Sequence, residues 1–403
     1  MSIPPGASAR QLHRTVWVLG LVSLMMDVSS EMIHGLLPVF LVGTLGVSAF
    51  TLGLIEGIAE STASISKIFS GALSDRMTRR KPLILLGYGM SALTKPLFPL
   101  AGSAVTVFAA RFIDRIGKGV RGAPRDALIA DVTDHGQRGA AFGLRQSLDT
   151  VGAFAGPLIA VGLVAGLAYD IRTVFWFACI PALLTVLVLL FGIREAPRPR
   201  NGNGTARNPF AGFRRADYSL RFWGLVGLVL LFTLTRFSEA FLVLRAQDAG
   251  LATGWAPMTL VVMSGTYLLT AYPIGRLSDR MSRHLLLALG CGVMVVADLL
   301  LAFGPGVPWV LAGVALWGVH MGMTEGLIAA LTADYAPAEL RGTAFGIVNL
   351  ARGVMLLVAS ALAGGLWTAF GPQATFLCGA GIAVVTALVS LSLRSPPRAR
   401  LAT

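Results

Sequence analysis

Read along its length, the chain is a succession of apolar runs of membrane length, separated by short polar links. Stretches 174–192, 222–235, 285–303 and 309–320 are nearly free of charge. A helix that crosses a bilayer needs roughly 20 mostly apolar residues. The pattern predicts about twelve such helices, over 15–43, 50–73, 82–101, 104–132, 139–168, 173–193, 220–248, 254–277, 283–304, 306–334, 341–369 and 371–394. Trp17, Trp223, Trp255, Trp309 and Trp367 fall near predicted ends, where an amphipathic indole prefers the headgroup region. One segment breaks the pattern. Residues 194–218 are polar, basic and rich in Asn, Gly and Pro, and read as a linker between two six-helix halves. The expected fold is an all-α polytopic membrane protein divided into 1–193, a linker at 194–219, and 220–403.

Composition agrees: 55% of residues are hydrophobic and 13% charged, against roughly 25% charged in soluble domains. An ordinary soluble enzyme is excluded. The net charge of +13 suggests a nucleic-acid partner until its placement is read. Arg76, Arg79, Arg80 and Lys81 share one link, Arg194, Arg198, Arg200, Arg207, Arg214 and Arg215 the linker, Arg280 and Arg283 another link, and Arg394, Arg398 and Arg400 the C-terminus. The alternate links, near 44–50, 101–105, 249–254 and 304–308, carry no Lys or Arg. Positive charge retained on one side sets topology. It predicts cytoplasmic N- and C-termini and a lipid bilayer, not nucleic acid, as the surrounding partner. The first apolar segment carries Asp27 and Glu31 and no small-residue cleavage site, so it reads as a retained helix. Cys179, Cys291 and Cys378 lie in apolar runs without pairing or metal spacing and read as packing residues.

The two halves repeat. Ala127-Leu128-x-Ala130-Asp131 recurs as Ala330-Leu331-x-Ala333-Asp334, and Arg138-Gly139-x-Ala141-Phe142-Gly143 as Arg341-Gly342-x-Ala344-Phe345-Gly346, both displaced by 203 residues. Gly71-x-Leu73-Ser74-Asp75-Arg76-Met77 recurs as Gly275-x-Leu277-Ser278-Asp279-Arg280-Met281, displaced by 204. Duplicated halves place a site at their interface, near the bilayer midplane.

These residues resemble a known family. The link GALSDRMTRRK, Gly71 to Lys81, is similar to the signature between helices 2 and 3 of the major facilitator superfamily, and GRLSDRMSRH, Gly275 to His284, is similar to its second-half copy. Arg115-x-x-Lys118-Gly119-x-Arg121-Gly122-Ala123 resembles the family's helix-4 element used in proton transfer, with Lys118 and Arg121 adding positive charge. Gly152, Gly156 and Pro157 resemble the helix-5 element of exporters that exchange substrate for protons. The resemblance covers the whole chain and points to the drug/proton-antiporter branch. It implies alternating access by a bacterial inner-membrane transporter. Gly71, Asp75, Arg76, Arg80, Gly275, Asp279 and Arg280 would then latch one conformation. Physics supports the latch: the glycines permit close helix approach, and acids at helix ends can pair with arginines or a neighbouring N-terminus.

Ionisable side chains at bilayer depth are costly and tend to face a cavity. Asp27 and Glu31 lie four apart, on one face of predicted helix 1. Helix 4 carries Arg111, Asp114, Arg115, Lys118, Arg121 and Arg125, helix 7 Arg236 and Glu239, and helix 10 His320 and Glu325. Every third helix is charged, which agrees with the cavity-lining helices of the family. The expected proton-coupling groups are Asp27, Glu31, Glu239 and Glu325, and the expected cavity residues Arg115, Lys118, Arg236, His320, Arg145 and Asp114. The bland alternatives are ion pairs: Arg111, Arg121 and Arg125 with Asp114, Asp126 and Asp131, Arg145 with Asp149, a packing network of Glu56, Glu60 and Lys67, and a snorkelling Lys95. His34 and His320, with Met26, Met321 and Met323, show no metal-ligand spacing, so neither metal nor cofactor is expected. The chain reads as a monomeric, proton-coupled exporter of a small organic molecule. Rival readings are a proton-coupled importer of an organic anion and an exporter of a metal chelate or siderophore. A membrane-embedded enzyme lacks a nucleophile, metal cluster or lipid-phosphate motif. A non-transporting receptor would carry a larger soluble domain.

Overall fold

The computed structural model describes residues 12–134, 137–193, 195, 218–278, 281–337 and 340–393. Asp279, Arg280 and nearly all of the expected linker lie outside them. The described chain is helical throughout: α1 (Arg14–Thr44), α2 (Ala49–Arg76), α3 (Lys81–Leu100), α4 (Ala104–Asp131), α5 (Arg138–Gly166), α6 (Ile171–Gly192), α7 in two pieces (Leu220–Leu234 and Ala240–Asp248), α8 (Met258–Ser278), α9 (Arg283–Phe303), α10 (Val307–Tyr335), α11 (Arg341–Phe370) and α12 (Pro372–Ser392). Among the described residues, nine helices are long and apolar enough to cross a membrane. The other three are α2 and α4, which carry many charges, and the broken α7. Their charges turn inward, while the outer surface exposes apolar side chains such as Leu93, Phe191, Leu269 and Phe370. This is the arrangement lipid requires, with backbone polar groups satisfied inside each helix.

Local chemistry sets the ends. Ser48, Ser103, Asp170 and Ser219 cap α2, α4, α6 and α7 by accepting backbone N–H groups of the first turn, the usual role of such residues. Gly371, at φ 85°, turns α11 into α12 through a single residue, a conformation glycine adopts without penalty. The periodicity predicts one continuous helix over 220–248, and here the structure differs. Hydroxyls replace helical hydrogen bonds: Thr235 Oγ1 donates to the Phe232 carbonyl, Ser238 Oγ accepts from Ala240 N, and Ser360 Oγ accepts from Ser238 N. Such side chains compete with the backbone ladder, so α7 breaks without Gly or Pro.

Within the first half α1 packs on α5 and α6, and α4 on α2 and α3; within the second, α8 and α9 pack on α10, and α9 on α12. The halves meet along α2 with α11 and α5 with α8. Close crossings rest on glycine. A methyl on Gly87 would stand 2.7 Å from the Gly117 carbonyl oxygen, joining α3 to α4, and one on Gly322 would stand 2.1 Å from Thr270 Oγ1, joining α10 to α8. The face carrying the links 76–81 and 278–283 is termed the basic face. At the opposite, far face, α2 and α11 close the molecule: a methyl on Gly53 would stand 2.3 Å from the Ser360 carbonyl oxygen, and one on Gly364 would stand 2.6 Å from that of Ala49. Phe50 N also donates to Thr368 Oγ1 at 3.1 Å.

Candidate functional site

Between the halves lies a cavity of about 1020 Å³, lined from α1, α2, α4, α5, α7, α8 and α10. Its lining reaches Lys67, Arg125, Gln146 and Gly275, all in the basic-face portions of their helices. A deeper pocket of about 260 Å³ shares Glu31, Glu60, Lys118, Arg236 and Glu239 with it and adds residues of α11. The cavity therefore opens toward the basic face and is stopped by the α2–α11 crossing. Helices α1, α4, α7 and α10 contribute as their charge pattern predicts; α2, α5, α8 and α11 contribute as well.

The helix-5 glycines stand directly behind the helix-1 carboxylates. A methyl on Gly152 would fall 2.9 Å from Asp27 Cβ and one on Gly156 2.9 Å from Glu31 Cβ, so these glycines set how far α1 stands from α5. Glu31 opens a chain of charge. His34 Nδ1 donates to Glu31 at 3.2 Å, His34 Nε2 stands 3.5 Å from Glu56, and Arg111 donates to both Glu56 oxygens at 3.0 and 2.7 Å. Beside it, Arg115 donates to Glu60 at 3.0 Å and stands 3.4 Å from Asp114, which accepts from Lys95 at 3.2 Å. Across the cavity Glu325 accepts from Arg236 and, at 3.3 Å, from Arg352. Among the described residues, four charged side chains that line the cavity form no ion pair or hydrogen bond: Asp27, Lys67, Lys118 and Glu239.

Several expected positions are corrected. Asp114, Arg145 and His320 line neither pocket. Asp114 is sealed with Lys95 and Arg115. Arg145 is held by Asp126 at 3.1 Å and Asp149 at 3.2 Å. His320 is fully buried behind Phe232, donating to the Gly290 carbonyl at 2.8 Å. Arg115 reaches only the deeper pocket. Lys95 does not snorkel: it is 1% exposed and donates to Ser30 and Asp114. Arg111 pairs with Glu56 rather than Asp114, and Arg121 with Ser91 Oγ and the Tyr88 ring. Asp27, Glu31, Lys118, Arg236, Glu239 and Glu325 do line the main cavity. Sequence reasoning missed Arg352 and the open position of Lys67. A lone Arg inside an apolar run was the signal for the first.

At the basic face Arg80 donates to Asp75 at 2.9 Å and to Asp131 at 3.1 Å. Glu195, at the end of α6, accepts from Arg80 N and Lys81 N at 2.8 and 2.7 Å. The second half repeats this pair with Arg283 and Asp334, each 203 residues beyond Arg80 and Asp131. A methyl on Gly71 would stand 3.4 Å from Ala123 Cβ, whereas one on Gly275 would meet nothing within 4 Å. Arg76 is exposed.

A helical membrane protein with a charged cavity between repeated halves, open at one face and shut at the other, is a transporter of small molecules. The chain belongs to the Major Facilitator Superfamily, whose family model matches residues 19–360 and 251–403. It is 31% identical over 388 residues to an uncharacterized MFS-type transporter of Methanocaldococcus jannaschii, covering 95% of each chain. It is 25% identical over 401 residues to the inner membrane transport protein YajR of Escherichia coli, covering 96% of this chain and 84% of that one. The multidrug resistance protein MdtH of Salmonella typhi is 27% identical over 339 residues, covering 82% and 81%. Among solved structures, a POT family transporter in complex with 5-aminolevulinic acid superposes with TM-score 0.79 at 16% identity, over 94% of this chain and 95% of that one.

Proposed function

We propose that this transporter exports a small organic molecule in exchange for protons, by rocking two six-helix halves, 1–193 and 220–403, about the central cavity. The basic face is the cytoplasmic side of a bacterial inner membrane, and residues 194–219 are the linker between the halves. The observation that carries the reading is Asp27. It lines the open cavity, forms no ion pair or hydrogen bond among the described residues, and packs against Gly152 of the exporter-like element. Glu31, by contrast, is occupied by His34. A carboxyl without a partner in a partly desolvated cavity changes protonation readily as its surroundings change. Substrate enters from the cytoplasm against ionised Asp27. Protonation of Asp27 from the far side follows release and drives the return, so protons move in as substrate moves out. The latch expected of Gly71, Asp75, Arg76, Arg80, Gly275, Asp279 and Arg280 belongs to this cycle; with the basic face open, Arg80–Asp75–Asp131 and Arg283–Asp334 are each formed within one half.

Pyranine-loaded inside-out vesicles test this. A ligand that is exported should alkalinise the lumen, and Asp27→Asn should abolish the proton signal while retaining ligand counterflow. Glu31→Gln should retain both. An unaltered signal in Asp27→Asn would remove that residue from coupling. Lumen acidification by the ligand would establish symport and favour import.

A further inference from the structure

The charges of the deep pocket define a class of substrate, given the reading above that this cavity is the transport site. An unpaired ion at this depth is costly, and the chain neutralises nearly every one it places there. Of the four left without partners, Asp27 is taken by proton exchange and Lys67 lines only the larger cavity. The remaining two, Lys118 and Glu239, line both the cavity and the deep pocket. They have opposite signs, yet form no ion pair with each other or with anything else among the described residues. Lys118 belongs to α4 in the first half. Glu239 sits at the break of α7 in the second, where hydroxyl groups have replaced the helical ladder. Most of the remaining lining is paired charge or hydroxyl, and Phe232, Phe237, Trp317 and Leu356 give one stretch of the wall an apolar, largely aromatic surface.

A ligand with one charge would satisfy one of these ions and leave the other unpaired. A ligand with both would satisfy both and tie the two halves together. We propose that the substrate is a small zwitterion, of amino-acid to dipeptide size, whose anionic group pairs with Lys118 and whose ammonium group pairs with Glu239. The pocket volume of about 260 Å³ sets that size, and its aromatic wall favours an apolar side chain. A pure cation or pure anion is then a poor ligand, although the cavity carries both signs of charge.

The test uses the purified full-length protein in detergent, read by thermal shift and titration calorimetry. Probes are apolar amino acids and dipeptides, their N-acetyl derivatives, which lack the cation, and their amides, which lack the anion. Zwitterions should stabilise the protein, and blocking either end should weaken binding by about thirtyfold or more. Lys118→Gln should bind the amide as well as the parent; Glu239→Gln should bind the N-acetyl derivative as well as the parent. The exchange Lys118→Glu with Glu239→Lys should regain zwitterion binding, which a merely structural role for either residue would not permit. Equal affinity for the singly charged derivatives, or no response to any zwitterion at millimolar concentration, overturns the proposal. Because binding is read without protons, zwitterion binding with no proton movement would sink the coupling and leave this inference standing. Proton-coupled movement of a purely cationic ligand would do the reverse.

Discussion

The far-face seal can be wedged by one methyl group. The ideal Cβ of alanine at position 53 falls 2.3 Å from the Ser360 carbonyl oxygen, 3.2 Å from the Ser360 carbonyl carbon and 3.2 Å from Phe241 Cζ. The nearest atoms are backbone, so no side-chain rotation relieves the overlap; α2 and α11 must separate by roughly 1 Å to restore van der Waals contact. Overpacking of this kind costs about 1–3 kcal/mol. Under the rocking proposed above the two helices part when that face opens, so the cost falls only on the state closed there. The conformational equilibrium should therefore move about 5- to 150-fold toward the far-face-open state. The helix-propensity gain of Ala over Gly, up to about 1 kcal/mol, applies to both states and does not bias them. Spin labels at Gly102→Cys and Pro305→Cys, exposed in far-face links of the two halves, report the opening in a background with Cys179, Cys291 and Cys378 replaced by serine. Gly53→Ala should populate a longer distance. Gly364→Ala, which meets the Ala49 carbonyl, should act alike, and Gly89→Ala, with nothing within 4 Å, should not. An unchanged distance distribution in both seal variants would refute the steric argument.

Three other outcomes are expected. Arg111→Ala strands Glu56, whose side chain is 1% exposed, and should cost about 3–5 kcal/mol of stability; the Arg111→Ala/Glu56→Gln double variant should melt well above that single one, and strict additivity of Arg111→Ala and Glu56→Gln would refute the pairing. Gly156→Ala presses a methyl to 2.8 Å from the Val28 carbonyl oxygen and should lower stability by about 1–3 kcal/mol. The same change at Gly162, which has open space, should leave the melting temperature alone. Asp170 accepts from the Thr173 hydroxyl and from the backbone of Thr173 and Arg172, and these bonds hold its carboxyl below the usual carboxylate range. Its stabilisation is complete above about pH 4 and lost as pH falls below that, so Asp170→Ala should lessen the acid-side fall in melting temperature measured between pH 6 and pH 3.

Much of the site was legible because charge inside an apolar run is conspicuous. Asp27, Glu31, Lys118, Arg236, Glu239 and Glu325 stood out against their neighbours, and each lines the cavity. Partnership was not legible. Lys95 and Asp114, or Arg111 and Glu56, lie on different helices, and nothing in one helix's sequence states which neighbour its charge will meet. Asp298 makes the point from the other side. It stands 203 residues beyond Lys95, fully buried, yet neither oxygen has a hydrogen-bond partner among the described residues.

The linear sequence determined what one dimension of physics can fix. Apolar runs of bilayer length set the helices, the alternation of Arg and Lys among links set their expected orientation, and the 203-residue repeat set the expectation of two matched halves. The tertiary structure alone decided the rest. Helix rotation and crossing chose which carboxylates found a cation and which were left open to the cavity. The contacts of Gly53 and Gly364 chose which face is shut. The break of α7 came from Ser360 reaching Ser238 across 122 residues. Each depends on distances between segments remote in the chain, which local pattern cannot encode.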